Sequence, residues 1–140
     1  LDSTLIESTP GSGDKHMPNL DAIPDAKCGV VTTPQEISLA DVRKALDFLK
    51  VVKADVLGLV ENMSGLFCPH CGEEIDLFKQ GGGEALAKQA GLNFLGAIPL
   101  DPATVVAADR GHPIVSMPDD TPAKAAFLKL AETVREATQA

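Results

Sequence analysis

Three short apolar runs at residues 29–32, 56–60 and 94–98 are separated by stretches with helical spacing, and each ends close to Pro, Gly or Asn. Such an alternation reads as strand–helix–strand units. It constrains the fold strongly, because right-handed crossovers make neighbouring strands parallel and buried strands need helices on both faces. The helix starts are readable as well. Thr33-Pro34-Gln35-Glu36 offers a capping Thr, a Pro at the first helical position and a Glu three residues after the cap, followed by Leu39, Val42, Leu46 and Leu49 on one face. Asp101-Pro102 and Thr121-Pro122 repeat the cap-then-Pro pattern, and the second opens a helix with Ala123, Phe127, Leu130 and Val134 on one stripe. A shorter helix is expected over residues 83–90, ending at Gly91, with Gly81-Gly82-Gly83 and residues 117–120 in loops. Residues 1–7 read as a further strand entering a Pro/Gly turn, with no start Met ahead of them, so a chain cut from something longer is expected. The fold class is α/β, a mostly parallel β-sheet flanked by helices, and 140 residues suit one domain of ~150.

Charge and composition exclude several functions. Twelve Lys and Arg against twenty Asp and Glu leave a net charge of −8, the wrong sign for a nucleic-acid face. With no Trp, no Tyr and five Phe there is also little to stack bases on. Hydrophobic residues at 44% and charged residues at 23% fit a globular chain rather than a disordered one. No apolar run approaches a membrane span of ~18 residues and no basic-then-apolar signal pattern opens the chain, so the expected location is cytoplasmic, away from membranes.

The chemistry concentrates in Cys68-Pro69-His70-Cys71-Gly72. Two thiolates two residues apart can grip one metal ion or cluster from a tight turn, and they are too close to staple a domain. A Cys-only tetrahedral site needs four thiolates, and Cys28 heads a strand far from the pair. Two chains related by a twofold axis complete the set. Half of a zinc knuckle or a pair of inert reduced thiols are the plainer readings, and a thioredoxin-type role fits poorly because Gly72 and two acids follow the second Cys. His70, His16 and His112 read as exposed loop histidines and Cys28 as a small core residue.

In an open parallel sheet, ligands bind beyond the carboxyl ends of the strands, which places residues 7–14, 33–35, 61–64 and 99–101 on one edge. Glu7 followed by Pro10-Gly11-Ser12-Gly13-Asp14 suits a carboxylate holding a water on Mg²⁺ and a turn aiming N–H groups at a γ-phosphate, although Gly and Pro after a strand also make an ordinary turn. Asn62 can read an adenine edge between Pro99 and Leu100, or serve simply as turn chemistry. The phosphate loop G-x-x-x-x-G-K-[ST] is absent, and Gly81-Gly82-Gly83-Glu84 lacks the Lys and hydroxyl to replace it.

In order, Val60-Glu61-Asn62-Met63-Ser64, Cys68-Pro69-His70-Cys71-Gly72-Glu73, Phe78, Gly81-Gly82 and Leu95-Gly96-Ala97-Ile98-Pro99-Leu100-Asp101 resemble the Mrp/ApbC family. These are ATP-dependent iron-sulfur cluster carriers, deviant Walker-A P-loop NTPases related to MinD and the nitrogenase iron protein. Residues 31–36 and 41–44 upstream, with Asp109, Gly111 and Pro113 downstream, extend the resemblance over essentially the whole chain. It implies a partial, MinD-like P-loop NTPase fold lacking its N-terminal part, in which residues 1–140 are the C-terminal portion of one cluster-carrier domain with a metal loop at about 64–80.

By that resemblance Cys68 and Cys71 bind a 4Fe-4S cluster bridging a homodimer, Asn62 contacts adenine, and residues 7–14 form the switch that senses the γ-phosphate. The implied function is cluster binding and transfer to apo iron-sulfur proteins, coupled to ATP and Mg²⁺ in the full-length protein. The sequence departs from the family where Glu7 and Thr9 replace Asp and Pro and where Lys79 follows Phe78. Without the Walker-A loop this chain is expected not to hydrolyse ATP alone. The competing readings are a non-catalytic dimeric module with zinc clamped by the Cys pairs of two chains, and a MinD-like partitioning ATPase, which the acids on the last helix disfavour.

Overall fold

The computed structural model describes residues 3–8 and 17–139. In chain order these form α1 (Met17–Ala22), β1 (Lys27–Thr32), α2 (Glu36–Val51), β2 (Asp55–Phe67), β3 (Glu74–Ile75), α3 (Gly82–Ala90), β4 (Phe94–Leu100), α4 (Pro102–Asp109), a 3₁₀ turn (Ile114–Ser116) and α5 (Pro122–Gln139). β2 is the central strand. β1 pairs with it in parallel from Lys27↔Asp55 to Thr32↔Glu61. β4 pairs in parallel on its other edge, from Leu59↔Phe94 to Leu66↔Leu100. β3 folds back antiparallel on the far end of β2, through Leu66↔Ile75 and Phe67↔Glu74.

The expected α/β class is what forms, with helices on both faces. On one face Leu39 and Leu46 of α2 meet Leu59 of β2 and Leu86 and Ala87 of α3. On the other, Val60, Leu95 and Ile98 are covered by Ala126, Phe127, Leu130 and Val134 of α5. Both helical stripes read from the sequence therefore point where their spacing put them. Two of the three read caps also form: Asp101 Oδ1 accepts from Ala103 N at 2.8 Å, and Thr121 Oγ1 accepts from Lys124 N at 3.1 Å. Such caps are worth about 1 kcal/mol each.

The third does not form. α2 starts at Glu36, behind Gln35, which makes no side-chain cap. Pro34 is instead among the most deeply buried residues, and Thr33 Oγ1 donates to Ser38 Oγ at 2.7 Å. Burial of the Pro ring at the strand end outweighs the cap grammar. The glycine run is also not all loop, because Gly82 and Gly83 begin α3 behind Gly81, whose φ of +82° is a left-handed conformation suited to glycine. At the other end Gly91 closes α3 with φ of +69°, as expected. Residues 3–8 are exposed and carry no strand, against the strand expected over residues 1–7, of which residues 1 and 2 lie outside the described residues.

The largest difference is the length of β2. The strand continues through Glu61-Asn62-Met63-Ser64, expected as a loop, to Phe67. It does so with a kink: Met63 and Gly65 have φ of +56° and +74°, and the pairing with β4 shifts between Asn62 and Leu66. Positive φ at a residue such as Met63 is uncommon and costs of order 1–3 kcal/mol.

Candidate functional site

Three described strands run parallel, so their carboxyl ends share one edge of the sheet. Residues 33–35 follow β1 there, Asp101 follows β4, and β2 overruns the edge to carry the hairpin that bears the Cys pair. Asn62 sits within β2 opposite Ile98 rather than at a strand end. Its Oδ1 accepts from Met63 N at 2.9 Å. Pro99 and Leu100 are half-buried on the neighbouring strand, and Asp101 Oδ2 is buried with no hydrogen-bond partner among the described residues. Of the other expected phosphate-side residues, Glu7 is exposed, and Gly11, Ser12, Gly13 and Asp14 lie outside the described residues, as does His16.

The Cys loop is a closed turn. Gly72 N donates to Cys68 O and Cys68 N donates to Glu73 O, both at 2.8 Å, with Gly72 at φ of +73°. Cys68 is half-buried, Cys71 and His70 are exposed, and all three cysteines are free thiols. The turn acts on the thiol chemistry. The backbone N–H of Cys71, then that of His70, and the Cys71 thiol hold Cys68 below the ordinary thiol range. Cys28, at the opposite end of β2 from Cys68, goes the other way, because burial pushes it up and the charge of Asp55 adds to that.

A lowered pKa enlarges the thiolate fraction at a given pH, and a raised one shrinks it. Near pH 7 the metal-free protein should therefore be alkylated by iodoacetamide faster at Cys68 than at Cys28, with the difference narrowing as the pH rises toward 10. Peptide mass mapping of a timed reaction checks the order, and equal rates at pH 7 would contradict it.

Among the described residues, no three His, Cys, Asp or Glu side chains converge into a metal site. The Cys pair thus finds no third ligand of these types among the described residues. What the sequence reading missed is Glu61. It is 1% exposed, its Oε1 accepts from Ser64 Oγ at 2.6 Å and from Gly81 N at 3.0 Å, and its Oε2 accepts from Gly83 N. The available signal was an acid directly after a buried apolar run, which has to find donors somewhere in the fold if it is buried too.

Comparisons with known proteins bear on the family and the fold. The family model described as NUBPL iron-transfer P-loop NTPase matches residues 1–135. The cytosolic Fe-S cluster assembly factor NUBP2 of Homo sapiens is 43% identical over 143 residues, covering 100% of this chain and 53% of that protein. An iron-sulfur cluster carrier protein of Pyrococcus horikoshii is 46% identical over 132 residues, covering 94% of this chain and 44% of the other. The chain thus spans about half the length of the curated relatives it matches. A nucleotide-binding protein of Archaeoglobus fulgidus, solved with ADP, superposes with a TM-score of 0.64 at 34% identity over 76% of this chain and 44% of that one. The cell-division protein MinD of Aquifex aeolicus shares the fold, with a TM-score of 0.63 at 20% identity over 84% of this chain and 47% of its own. Match length and identity together show that this chain belongs to the family of NUBPL-type iron-transfer P-loop NTPases.

Proposed function

We propose that this chain holds an iron-sulfur cluster as cargo on Cys68 and Cys71 and passes it to apo iron-sulfur proteins, as the C-terminal part of an ATP-dependent carrier working in the cytoplasm. The observation that carries the reading is the pair itself: two free thiols held in one closed turn at the tip of a hairpin, beyond the carboxyl edge of a parallel sheet. Cargo that must be released needs an exposed site, and Cys71 is exposed. With two thiolates per chain, a 4Fe-4S cluster is shared across a homodimer, which supplies the four thiolates such a cluster takes.

The nucleotide belongs to the same proposal. Asn62, Pro99 and Leu100 lie on adjacent strands at the ligand edge and suit an adenine ring. The unpartnered Asp101 Oδ2 leaves an acceptor there for an exocyclic amine. Glu7, with Gly11, Ser12, Gly13 and Asp14, is assigned to the side of the phosphates and Mg²⁺. ATP, when bound, supplies the charge that distinguishes one dimer geometry from another. These 140 residues hold no G-x-x-x-x-G-K-[ST] loop, so the proposal gives them the adenine-facing and cluster-holding parts and not the hydrolysis.

The test is mass and metal measured together. After anaerobic reconstitution with iron and sulfide, native mass spectrometry should show a dimer carrying one four-iron cluster, which is about two irons and two sulfides per chain. A colourless dimer with about half a zinc per chain and no iron uptake would instead assign the pair to a structural zinc clamp.

A further inference from the structure

Glu61 is a buried carboxylate in the middle of a β-strand, and burying such a group is costly unless it is hydrogen-bonded. It has three donors, and their places along the chain are informative. Ser64 stands in the kink of β2, on the way out to the Cys hairpin, and Gly81 and Gly83 stand where the chain comes back to begin α3. Everything between them is the excursion that carries Cys68 and Cys71. A single carboxylate thus joins the outgoing and returning ends of that excursion at its base.

The surroundings are shaped for this contact. A Cβ on Gly83 would lie 3.0 Å from both Glu61 Cβ and Glu61 Oε2 and 3.1 Å from Thr32 Cγ2, so any larger residue there would press on Glu61 and Thr32 by a few tenths of an ångström. Gly81 N and Gly83 N belong to the first turn of α3, where N–H groups lack helical partners and the helix dipole favours an anion. Further out, Gln80 Nε2 donates to Glu74 Oε1 at 3.0 Å, within the returning half of the same excursion. The next residue along β2 is Asn62, whose side chain points to the other face of the strand. The residue assigned to adenine and the residue that closes the Cys excursion are therefore neighbours on one strand.

We propose that Glu61 is the positioning residue for the Cys pair: its carboxylate closes the base of the excursion and thereby sets where Cys68 and Cys71 stand. The metal consequence of this assignment rests on the reading of the pair as a cluster holder given above. The closure itself does not.

The test uses the 140-residue chain as wild type, Glu61→Gln and Ser64→Ala. Gln keeps the size of Glu61 but presents a donor to one of the N–H groups, and Ser64→Ala removes one of the three bonds. Two readouts are taken on protein whose far-UV circular dichroism matches wild type: amide hydrogen exchange without metal, and titration with Co²⁺ alone under anaerobic, reducing conditions, followed by the thiolate-to-cobalt absorption band.

In Glu61→Gln, exchange at the Cys68 and Gly72 amides should quicken about tenfold or more, the scale of losing a charge-assisted bond, while amides in α5 keep their wild-type rates. Co²⁺ affinity should fall by about the same factor, and Ser64→Ala should fall between the two proteins. A buried carboxylate with only a structural role would lower the melting temperature and leave both readouts unchanged in the folded variant. Wild-type exchange at Cys68 and Gly72 in folded Glu61→Gln overturns the proposal, and if that variant does not fold, wild-type exchange in Ser64→Ala does the same. Absence of a thiolate-to-cobalt band in wild-type protein would overturn the cluster-holder reading, with the exchange rates still deciding the closure.

Discussion

Replacing Cys68 and Cys71 together with serine should abolish iron and sulfide uptake: about two irons per chain in the reconstituted wild type and a background level in the double variant. The argument is one of ligand chemistry. Serine has nearly the shape of cysteine, but its hydroxyl stays protonated near neutral pH and is a poor ligand for a soft iron-sulfur core. The fold should not suffer, because Cys71 is exposed, Cys68 is half-buried, and the two bonds that close the turn are between backbone groups. The double variant should therefore keep the wild-type circular dichroism and melting temperature while losing the colour of the cluster. Cys28→Ser is the control that should retain iron, since Cys28 lies at the other end of β2. Iron retained by the double variant, or lost equally from Cys28→Ser, would move the site elsewhere.

The largest effect on stability is expected at Leu59. It is 0% exposed in the central strand and packs among Leu39 and Leu46 of α2 and Leu86 and Ala87 of α3. Strand and helices enclose it on several sides, so little can relax into the space that Leu59→Ala would leave. The loss should be about 3–5 kcal/mol, the upper part of the range for buried leucines. Against a total stability of roughly 5–15 kcal/mol for a domain, that is a large fraction. In urea, with a slope of about 1–3 kcal/mol per molar, the midpoint should drop by about 1–5 M with the slope unchanged. Leu128, 52% exposed on α5, sets the scale from the other side, since Leu128→Ala should stay within about 0.5 kcal/mol. A Leu59→Ala midpoint within error of wild type would mean that the two helices do not close over β2 as described.

Element interiors were legible because their signal is local periodicity. The stripe of Leu39, Val42, Leu46 and Leu49 and that of Ala123, Phe127, Leu130 and Val134 needed only one helix each to be seen, and both face the sheet. The failures lie where a distant partner decides. Thr33-Pro34 has the grammar of a helix start, yet the place of Pro34 is set by burial beside α3, where its backbone stands close to Gly82. Residues 61–64 look like a turn because they are polar, and they form a strand because the donors for Glu61 arrive about twenty residues later, at Gly81 and Gly83. The Cys pair was easy to single out, since it lies within four consecutive residues, and the structure places those residues in one closed turn. The residues that hold the pair in place come from both ends of the excursion and make no local pattern.

The central position of β2 also orders events in time. A parallel pair cannot close as a simple hairpin, so β2 must wait for α2 behind it and for α3 ahead of it before either neighbour is in register. On a chain emerging from the ribosome, Cys68 and Cys71 appear before Gly81 and Gly83, and before all of β4. The two thiols are thus made first and fixed afterwards, and there is an interval during synthesis in which they have no settled geometry. On the proposed reading, a nascent chain is then most vulnerable to oxidation or to capture of a wrong metal at the two residues assigned to the cluster, and during that interval the fold gives them no protection.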